Sequence, residues 1–397
     1  MTPRATRPIL IAGGGIGGLA AAIALANAGY RCRVLERRSQ FDEAGAGIQI
    51  GPNGVKALRA LGIDGALATK VGTPEGIAIR DGLSGRLNAM LPLGADIESR
   101  LGAPYWTAHR ADLHDALAAA AARHRGIALT MGFAADRLEA TEGGVRIVAE
   151  NGAEATGAAL IGADGLWSRI RGYVADRAQS RFAGRRAYRA VIAAPKGCPP
   201  AVGGNVVGLW LARGSHVVHY PVRAGAEIAA VVILSQQAAD QGWSAPVDAS
   251  ALMDRLRHLD ANLQEALTHA QNWRSWDLFE APPLKTWSNG RIALLGDAAH
   301  PVLPFLAQGG VLALEDALTL AHAMTACPGD IPAAFAAYSA ARLARARRVA
   351  KASQANGAIY HWGGGFAMAR TALLGTLPAN RLIGRYDWLY GWSPPGN

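Results

Sequence analysis

The sequence predicts an α/β chain: a parallel-sheet domain, an antiparallel sheet inserted into it, and a helical C-terminal segment. Three observations carry that expectation. A short apolar run, a glycine-rich turn and an apolar helical stretch open the chain at residues 8–28. The strand–helix rhythm breaks over residues 183–234, where strands follow one another through short turns. Residues 331–397 return to helical patterning.

With 397 residues the chain can bury a large core, and two interlocked domains are expected. Hydrophobic residues at 50% against 18% charged describe a globular protein rather than a disordered one. The net charge of +10 raises the question of nucleic acid, but no zinc spacing, RNA-binding signature or aromatic-interleaved basic stretch accompanies it. The dense basic run at residues 342–351 reads as a solvated helix face. A positive field also attracts small anions. Cys32, Cys198 and Cys327 are far apart and form no CxxC, so neither a disulfide framework nor a metal site is expected. A reducing cytoplasm fits them. Residues 9–28 are nearly all apolar and follow Arg4 and Arg7, yet five glycines in six positions argue against a spanning helix. No membrane association is expected.

The elements follow in order. Residues 8–12 read as a buried parallel strand, residues 16–28 as a helix ending at Gly29, and residues 31–36 as the next strand. Between the first two, Gly13, Gly15 and Gly18 satisfy GxGxxG. The first glycine allows the tight turn, the second lets backbone approach a pyrophosphate, and the third permits close helix–strand packing. The helix N-terminus offers free N–H groups and a positive dipole end to phosphates. Glu36 ends the second strand, 23 residues after Gly13, where it can accept bonds from an adenosine ribose. Arg37 and Arg38 beside it suit a 2′-phosphate, which Glu36 would repel. This is a Rossmann-like turn, and by itself it does not say which dinucleotide binds.

Within residues 183–234, Arg213-Gly214 and Ala224-Gly225 mark turns between strands. Side chains alternate along a strand, so His216, Val218 and Tyr220 share one face while Val217 and His219 share the other. His216 and Tyr220 stand about 13 Å apart at roughly 3.3 Å per residue. Each is a candidate base, and each is equally explained as a polar residue on a half-buried sheet. Arg189, on an earlier strand, is a candidate to hold a carboxylate bidentately. Residues 291–295 form an apolar strand that delivers Asp297 at its C-terminal end, where open α/β sheets bind ligands. Gln308-Gly309-Gly310 opens a helix running to about Met324, whose N-terminus can stabilise negative charge. Pro304 stiffens the loop before it. His300 reads as a satisfied loop histidine.

Three segments then combine. Besides the first turn there are Gly162-Ala163-Asp164-Gly165-Leu166-Trp167-Ser168-Arg169-Ile170-Arg171 and Gly296-Asp297-Ala298-Ala299-His300-Pro301, the latter continuing through Pro304, Gln308-Gly309 and Glu315-Asp316. In this order and spacing the chain resembles the FAD-dependent aromatic hydroxylases of the para-hydroxybenzoate hydroxylase type, nearest to the salicylate, 3-hydroxybenzoate and 6-hydroxynicotinate hydroxylases. The resemblance spans essentially the whole chain. It implies that FAD is the resident cofactor and NADH or NADPH a transient co-substrate. It further implies that Asp297 binds the ribityl chain, that Asp164 lies near the pyrophosphate and serves NAD(P)H use, and that Arg110 contacts FAD. With these go Gly13, Gly15, Gly18, Glu36 and Arg37 at the adenosine and pyrophosphate end. Pro304, Gly309 and Gly310 fall at the flavin end. Arg189, His216, Tyr220 and Pro304 would face the substrate.

The implied domain map is discontinuous. An FAD-binding domain covers residues 1–75, 102–180 and 283–330. A substrate domain covers 76–101 and 181–282, its sheet roofing the pocket, and residues 331–397 form the C-terminal helical region. The implied reaction is ring hydroxylation of a phenolic or hydroxypyridine carboxylic acid with O2, through a flavin C4a-hydroperoxide, within aromatic compound catabolism. A base that ionises the ring hydroxyl accelerates oxygen transfer to an electron-rich ring. The alternatives are a quinone-pathway or tailoring hydroxylase of a larger neutral aromatic, and a non-catalytic dinucleotide-binding sensor. A monomer or homodimer in the cytoplasm is expected. The C-terminal Arg385-Tyr386-Asp387-Trp388-Leu389-Tyr390 segment reads as packing or subunit contact.

Overall fold

Apolar runs flanked by glycine turns become parallel strands because they are covered on both faces. The computed structural model describes residues 7–41, 47–175, 180–193, 200–239 and 244–396. One sheet has six strands, in the order Ser288–Asn289, Ile292–Leu294, Ala159–Gly162, Ile9–Ala12, Cys32–Leu35 and Ile127–Thr130. Ile9 lies beside Cys32 on one side and Ala159 on the other, all in parallel, and the Ser288–Asn289 edge is antiparallel. Helix Ile16–Asn27 packs between this sheet and helix Gly309–Ala326. Gly29 follows the first helix at φ +89°, the left-handed position that ends helices at glycine.

The second sheet has eight strands. Their order is Ala245–Pro246, Gln271–Glu280, Arg181–Ala193, Glu227–Ser235, Ser215–Val222, Val206–Ala212, Gly76–Asp81 and Leu87–Pro92. Neighbours pair antiparallel except Val206–Ala212 with Gly76–Asp81. Arg213-Gly214 closes a two-residue hairpin in which Ala212 pairs with Ser215 and Gly208 with His219. Both faces of Ser215–Val222 are covered. Val217 packs with Trp210 and Leu252 on one side, and Tyr220 with Leu209 and Leu306 on the other. That double burial is why the strand carries so few charged residues.

Helices Ile331–Tyr360, Gly364–Thr376, Ala379–Gly384 and Asp387–Tyr390 complete the chain. The basic run at 342–351 is not simply a solvated face. Arg342 is only 2% exposed, and Arg345 binds Glu315 through Nε at 2.6 Å. The long helix crosses Gly309–Ala326, whose Glu315 and Asp316 are wholly buried and demand counter-charges. Arg348 instead stacks on Trp388 at 3.9 Å, and Lys351 is exposed.

Among the described residues, no helix is long and apolar enough to cross a membrane, and no group of His, Cys, Asp and Glu could hold a metal ion. Cys32 and Cys327 are free thiols. Cys198 lies outside the described residues.

Candidate active site

The glycines of the first turn divide by role. Gly13 has φ +108°, and a Cβ there would fall 2.3 Å from the Ala163 carbonyl oxygen. A Cβ at Gly18 would lie 1.9 Å from the Gly13 carbonyl. Both are therefore required by the fold itself. Gly15 is different. Its backbone is extended at φ −75°, and a Cβ would meet nothing within 4 Å. The fold tolerates a side chain at Gly15, so the open space in front of it is what suits a pyrophosphate. Glu36 accepts the Gly14 N–H at 2.7 Å and the Arg38 N–H at 3.0 Å, which braces the turn. Each carboxylate oxygen keeps a further acceptor site for a ribose hydroxyl. Arg37 is exposed beside it.

From this turn a cleft of about 310 Å³ runs between the two sheets. Gly15, Arg110, Asp297, Pro304, Gly309 and Gly310 line it, together with Arg189, His216 and Tyr220 from the second sheet. Gly13, Gly18, Glu36, Arg37 and Asp164 are not on its surface. For Asp164 the reason is local. Its carboxylate accepts the backbone N–H groups of Arg169 at 2.8 Å and Ile170 at 3.3 Å, closing its own turn. Its other oxygen is buried without a hydrogen bond, and burial pushes the carboxyl upward. The cleft meets its neighbours Ala163 and Gly165 instead.

Asp297 stands exposed on the cleft wall. The surrounding protein pushes its carboxyl up by desolvation, while His300, Arg110 and Arg171 pull it back. Arg171, to which the second motif assigned no role, donates to the Asp297 carbonyl at 2.7 Å and the Ala298 carbonyl at 2.8 Å. The second and third motifs, which follow neighbouring strands of the six-stranded sheet, are thereby tied together. Behind Asp297 lies a buried ionic cluster. Asp316 accepts from His300 at 2.5 Å, from the Gly296 N–H at 3.1 Å and from Arg342 at 2.7 Å. Glu315 accepts from Arg345 and from Asn53 at 2.8 Å, and Asn53 also donates to Gln308 at 2.9 Å. Burial alone would raise Asp316, but His300 and Arg342 bring it down to about 2.

These glycine roles give a first expected result. Gly15→Val should fold normally yet lose nucleotide affinity by about a hundredfold, near 2.7 kcal/mol, because the valine occupies the phosphate's space. Gly18→Ala should instead lose soluble folded protein. Flavin titration of each variant, alongside its thermal unfolding, checks both halves.

The side formed by the second sheet is built from the Ser215–Val222 strand. His216 and Tyr220 both reach the cleft, as does Val218 between them. His219 faces the other way, buried against Trp210 with neither ring nitrogen hydrogen-bonded, and desolvation followed by Arg80 brings it down to about 3. His216 is 2% exposed, packed by Phe305 and Tyr360, with its Nδ1 2.7 Å from Nε2 of His361. Burial, then His361 and Arg185, hold it well below the usual histidine value. It is a neutral imidazole at neutral pH. Tyr220 is raised by burial and only partly pulled back by Arg189, so it stays a neutral phenol. Arg189 lies over Trp276 at 5.1 Å, and its buried Nε has no hydrogen-bond partner.

A second cavity of about 340 Å³ adjoins the first, and His216, Val218, Pro304 and Ala307 belong to both walls. It is largely apolar, walled by Ile79, Leu209 and Phe305 and, on the far side, by Leu382, Tyr386 and Tyr390. The C-terminal segment, expected to serve packing or subunit contact, thus also walls this chamber. The sequence offered no periodic signal for that, because these walls join segments distant in sequence, as Tyr105 edge-on to Tyr390 illustrates.

A family model described as FAD binding domain matches residues 6–353. The chain is 35% identical to 3-hydroxybenzoate 6-hydroxylase of Polaromonas naphthalenivorans over 97% of its length and 96% of that protein. It is 33% identical to 6-hydroxynicotinate 3-monooxygenase of Bordetella bronchiseptica, over 88% and 91% respectively. The crystal structure of Klebsiella pneumoniae HpxO complexed with FAD and uric acid superposes with a TM-score of 0.88 at 26% identity, covering 99% of each chain.

Proposed function

This chain belongs to the FAD-binding-domain family, and from that premise we propose that it hydroxylates the ring of a phenolic or hydroxypyridine carboxylic acid. It is an FAD-dependent aromatic monooxygenase that draws electrons from NAD(P)H. The observation that carries the substrate reading is the junction of the two cavities, where neutral His216 stands in the shared wall and Arg189 and Tyr220 line the adjoining cleft. The residues fit the cofactor: an open cradle at Gly15, Asp297 on the cleft wall, and the N-terminus of helix Gly309–Ala326 lining the same cleft. Bound there, FAD supplies electron transfer from the nicotinamide and activation of O2.

The chain supplies the rest. His216 accepts the ring hydroxyl's proton, making the ring electron-rich. Tyr220, kept neutral, holds the resulting phenolate by a hydrogen bond rather than acting as a base. Arg189 pairs with the carboxylate. Pro304 and the apolar chamber walls exclude water. Free Cys32 and Cys327 and a reduced nicotinamide donor support a cytoplasmic setting. One feature favours a second reading: the apolar chamber suits a larger, neutral aromatic.

A substrate panel separates the two. Salicylate, 3-hydroxybenzoate, 4-hydroxybenzoate and 6-hydroxynicotinate, with their methyl esters, should be scored by NADH oxidation and product mass on the yellow, FAD-loaded protein. The acids are expected to be turned over and the esters to fail. Turnover of esters alone would move the assignment to the neutral class, and no bound FAD would overturn the reading altogether.

A further inference from the structure

The contact between His216 and His361 has a direction. At 2.7 Å from Nδ1 to Nε2, one ring must donate and the other accept. If His361 donated, the lone pair of neutral His216 would be spent on it and Nε2 would carry the proton. His216 could then not take a proton from a ligand. If His216 donates, its Nε2 keeps a lone pair for the ligand, and the described residues offer that atom no other hydrogen bond. The state of His361 therefore selects whether His216 is a base.

His361 is placed for that task by elements remote in sequence. It follows the long helix Ile331–Tyr360, and its carbonyl accepts the Gly214 N–H at the tip of the hairpin that carries His216. Its Nδ1 lies 3.5 Å from the hydroxyl of Ser235, which is exposed on the neighbouring strand. A chain of groups thus runs from the wall shared by the two cavities to solvent: His216 Nε2, His216 Nδ1, His361 Nε2, His361 Nδ1, Ser235 Oγ.

We infer that His361 is a positioning residue for His216 that carries the substrate's phenolic proton out to Ser235 and solvent. The inference rests on His216 being the base. In the step, the substrate O–H bond breaks and its pair stays on oxygen as a phenolate, while the proton bonds to His216 Nε2. The His216 Nδ1–H bond breaks as His361 Nε2 takes that proton. The His361 Nδ1–H proton then passes to Ser235 or water. Both rings end neutral with the opposite tautomer, and one proton has left the site. The neighbours favour export over storage. Arg185, beside Ser235 on strand Arg181–Ala193, disfavours charge on both rings, and Arg370, on helix Gly364–Thr376, disfavours it on His361, which burial and these cations hold down at about 4. Tyr360 beside His216 is raised by burial and stays neutral.

The test uses FAD-loaded parent, His216→Ala, His361→Gln and His361→Ala, with the panel acid that yields most product. His361→Gln should slow hydroxylation about tenfold, a part of the 10²–10⁴-fold that general bases contribute, without slowing substrate-triggered flavin reduction. The loss should shrink as pH rises and the phenol ionises in solution, and added imidazole should restore His361→Ala. If His216→Ala uncouples while both His361 variants keep the parent's pH profile and product yield, the relay is overturned and the base stands. A lower melting temperature with an unshifted pH profile overturns it too, since that reports packing alone. If His216→Ala also behaves as the parent, the base assignment has failed and the relay falls with it.

Discussion

His216→Ala is expected to oxidise NADH on addition of substrate while forming hydrogen peroxide instead of product. The imidazole is neutral because burial, His361 and Arg185 disfavour its charged form, so a proton acceptor stands ready at the cavity junction. Removing it should slow hydroxylation roughly 10²–10⁴-fold. The pH dependence follows from the sign of the shift. A histidine held well below its ordinary value stays unprotonated as pH falls to about 6, so the parent should keep its product yield there. The variant should gain yield as pH rises, because solution then ionises the phenol for it. Tyr220→Phe should cost less, about tenfold, the worth of one hydrogen bond. His219→Ala opens a cavity beside Trp210 and should lower stability while remaining coupled. Product per NADH and peroxide yield across pH decide among these; coupled turnover in His216→Ala would place the base elsewhere.

The second large effect is structural. Arg342→Ala should destabilise the protein by about 3–5 kcal/mol, the cost of removing one partner from a buried ion pair. Arg342 binds Asp316 at 2.7 Å and Glu315 at 2.8 Å, and both carboxylates are fully buried. Without the guanidinium, Asp316 keeps His300 and the Gly296 N–H, whereas Glu315 keeps Arg345 and Asn53. The same cluster holds the backbone beside Asp297, so flavin affinity should fall with stability. The sign for pH is that of a depressed carboxyl. The stability contributed by Asp316 is fully present above its unfolded value near about 4 and is lost as pH falls toward about 2. Denaturant unfolding of parent and variant at neutral and acidic pH measures both. A stability within about 1 kcal/mol of the parent at neutral pH would show that the carboxylates had been protonated or rehydrated at little cost.

Local sequence determined the first layer of this protein. The turn at Gly13, Gly15 and Gly18, the helix ending at Gly29, the two-residue hairpin at Arg213-Gly214 and the split of His216 and Tyr220 from His219 all follow from interactions within a few residues. Strand alternation, glycine conformations and helix caps are short-range physics, and the chain spells them out in order. The resemblance of three ordered motifs extended that reading to the cofactor.

Tertiary structure decided the rest. Arg342 and Arg345 looked like a solvated face because charge density along a helix does not reveal what the helix lies on; buried Glu315 and Asp316 made them structural. Asp164 carried a motif's name, yet its carboxylate closes its own turn while Arg171, a few residues on, reaches the Asp297 backbone. His216 and Tyr220 stood alike in the sequence as candidate bases, and burial gives them different charge behaviour. Desolvation lowers a histidine and raises a tyrosine, so the same buried wall makes one a ready acceptor and the other a neutral donor. His361 lies 145 positions from His216 and had no pattern to announce it. Its meaning comes only from the place where the long helix ends against the hairpin, because contacts between distant segments are fixed by packing and leave no periodicity behind.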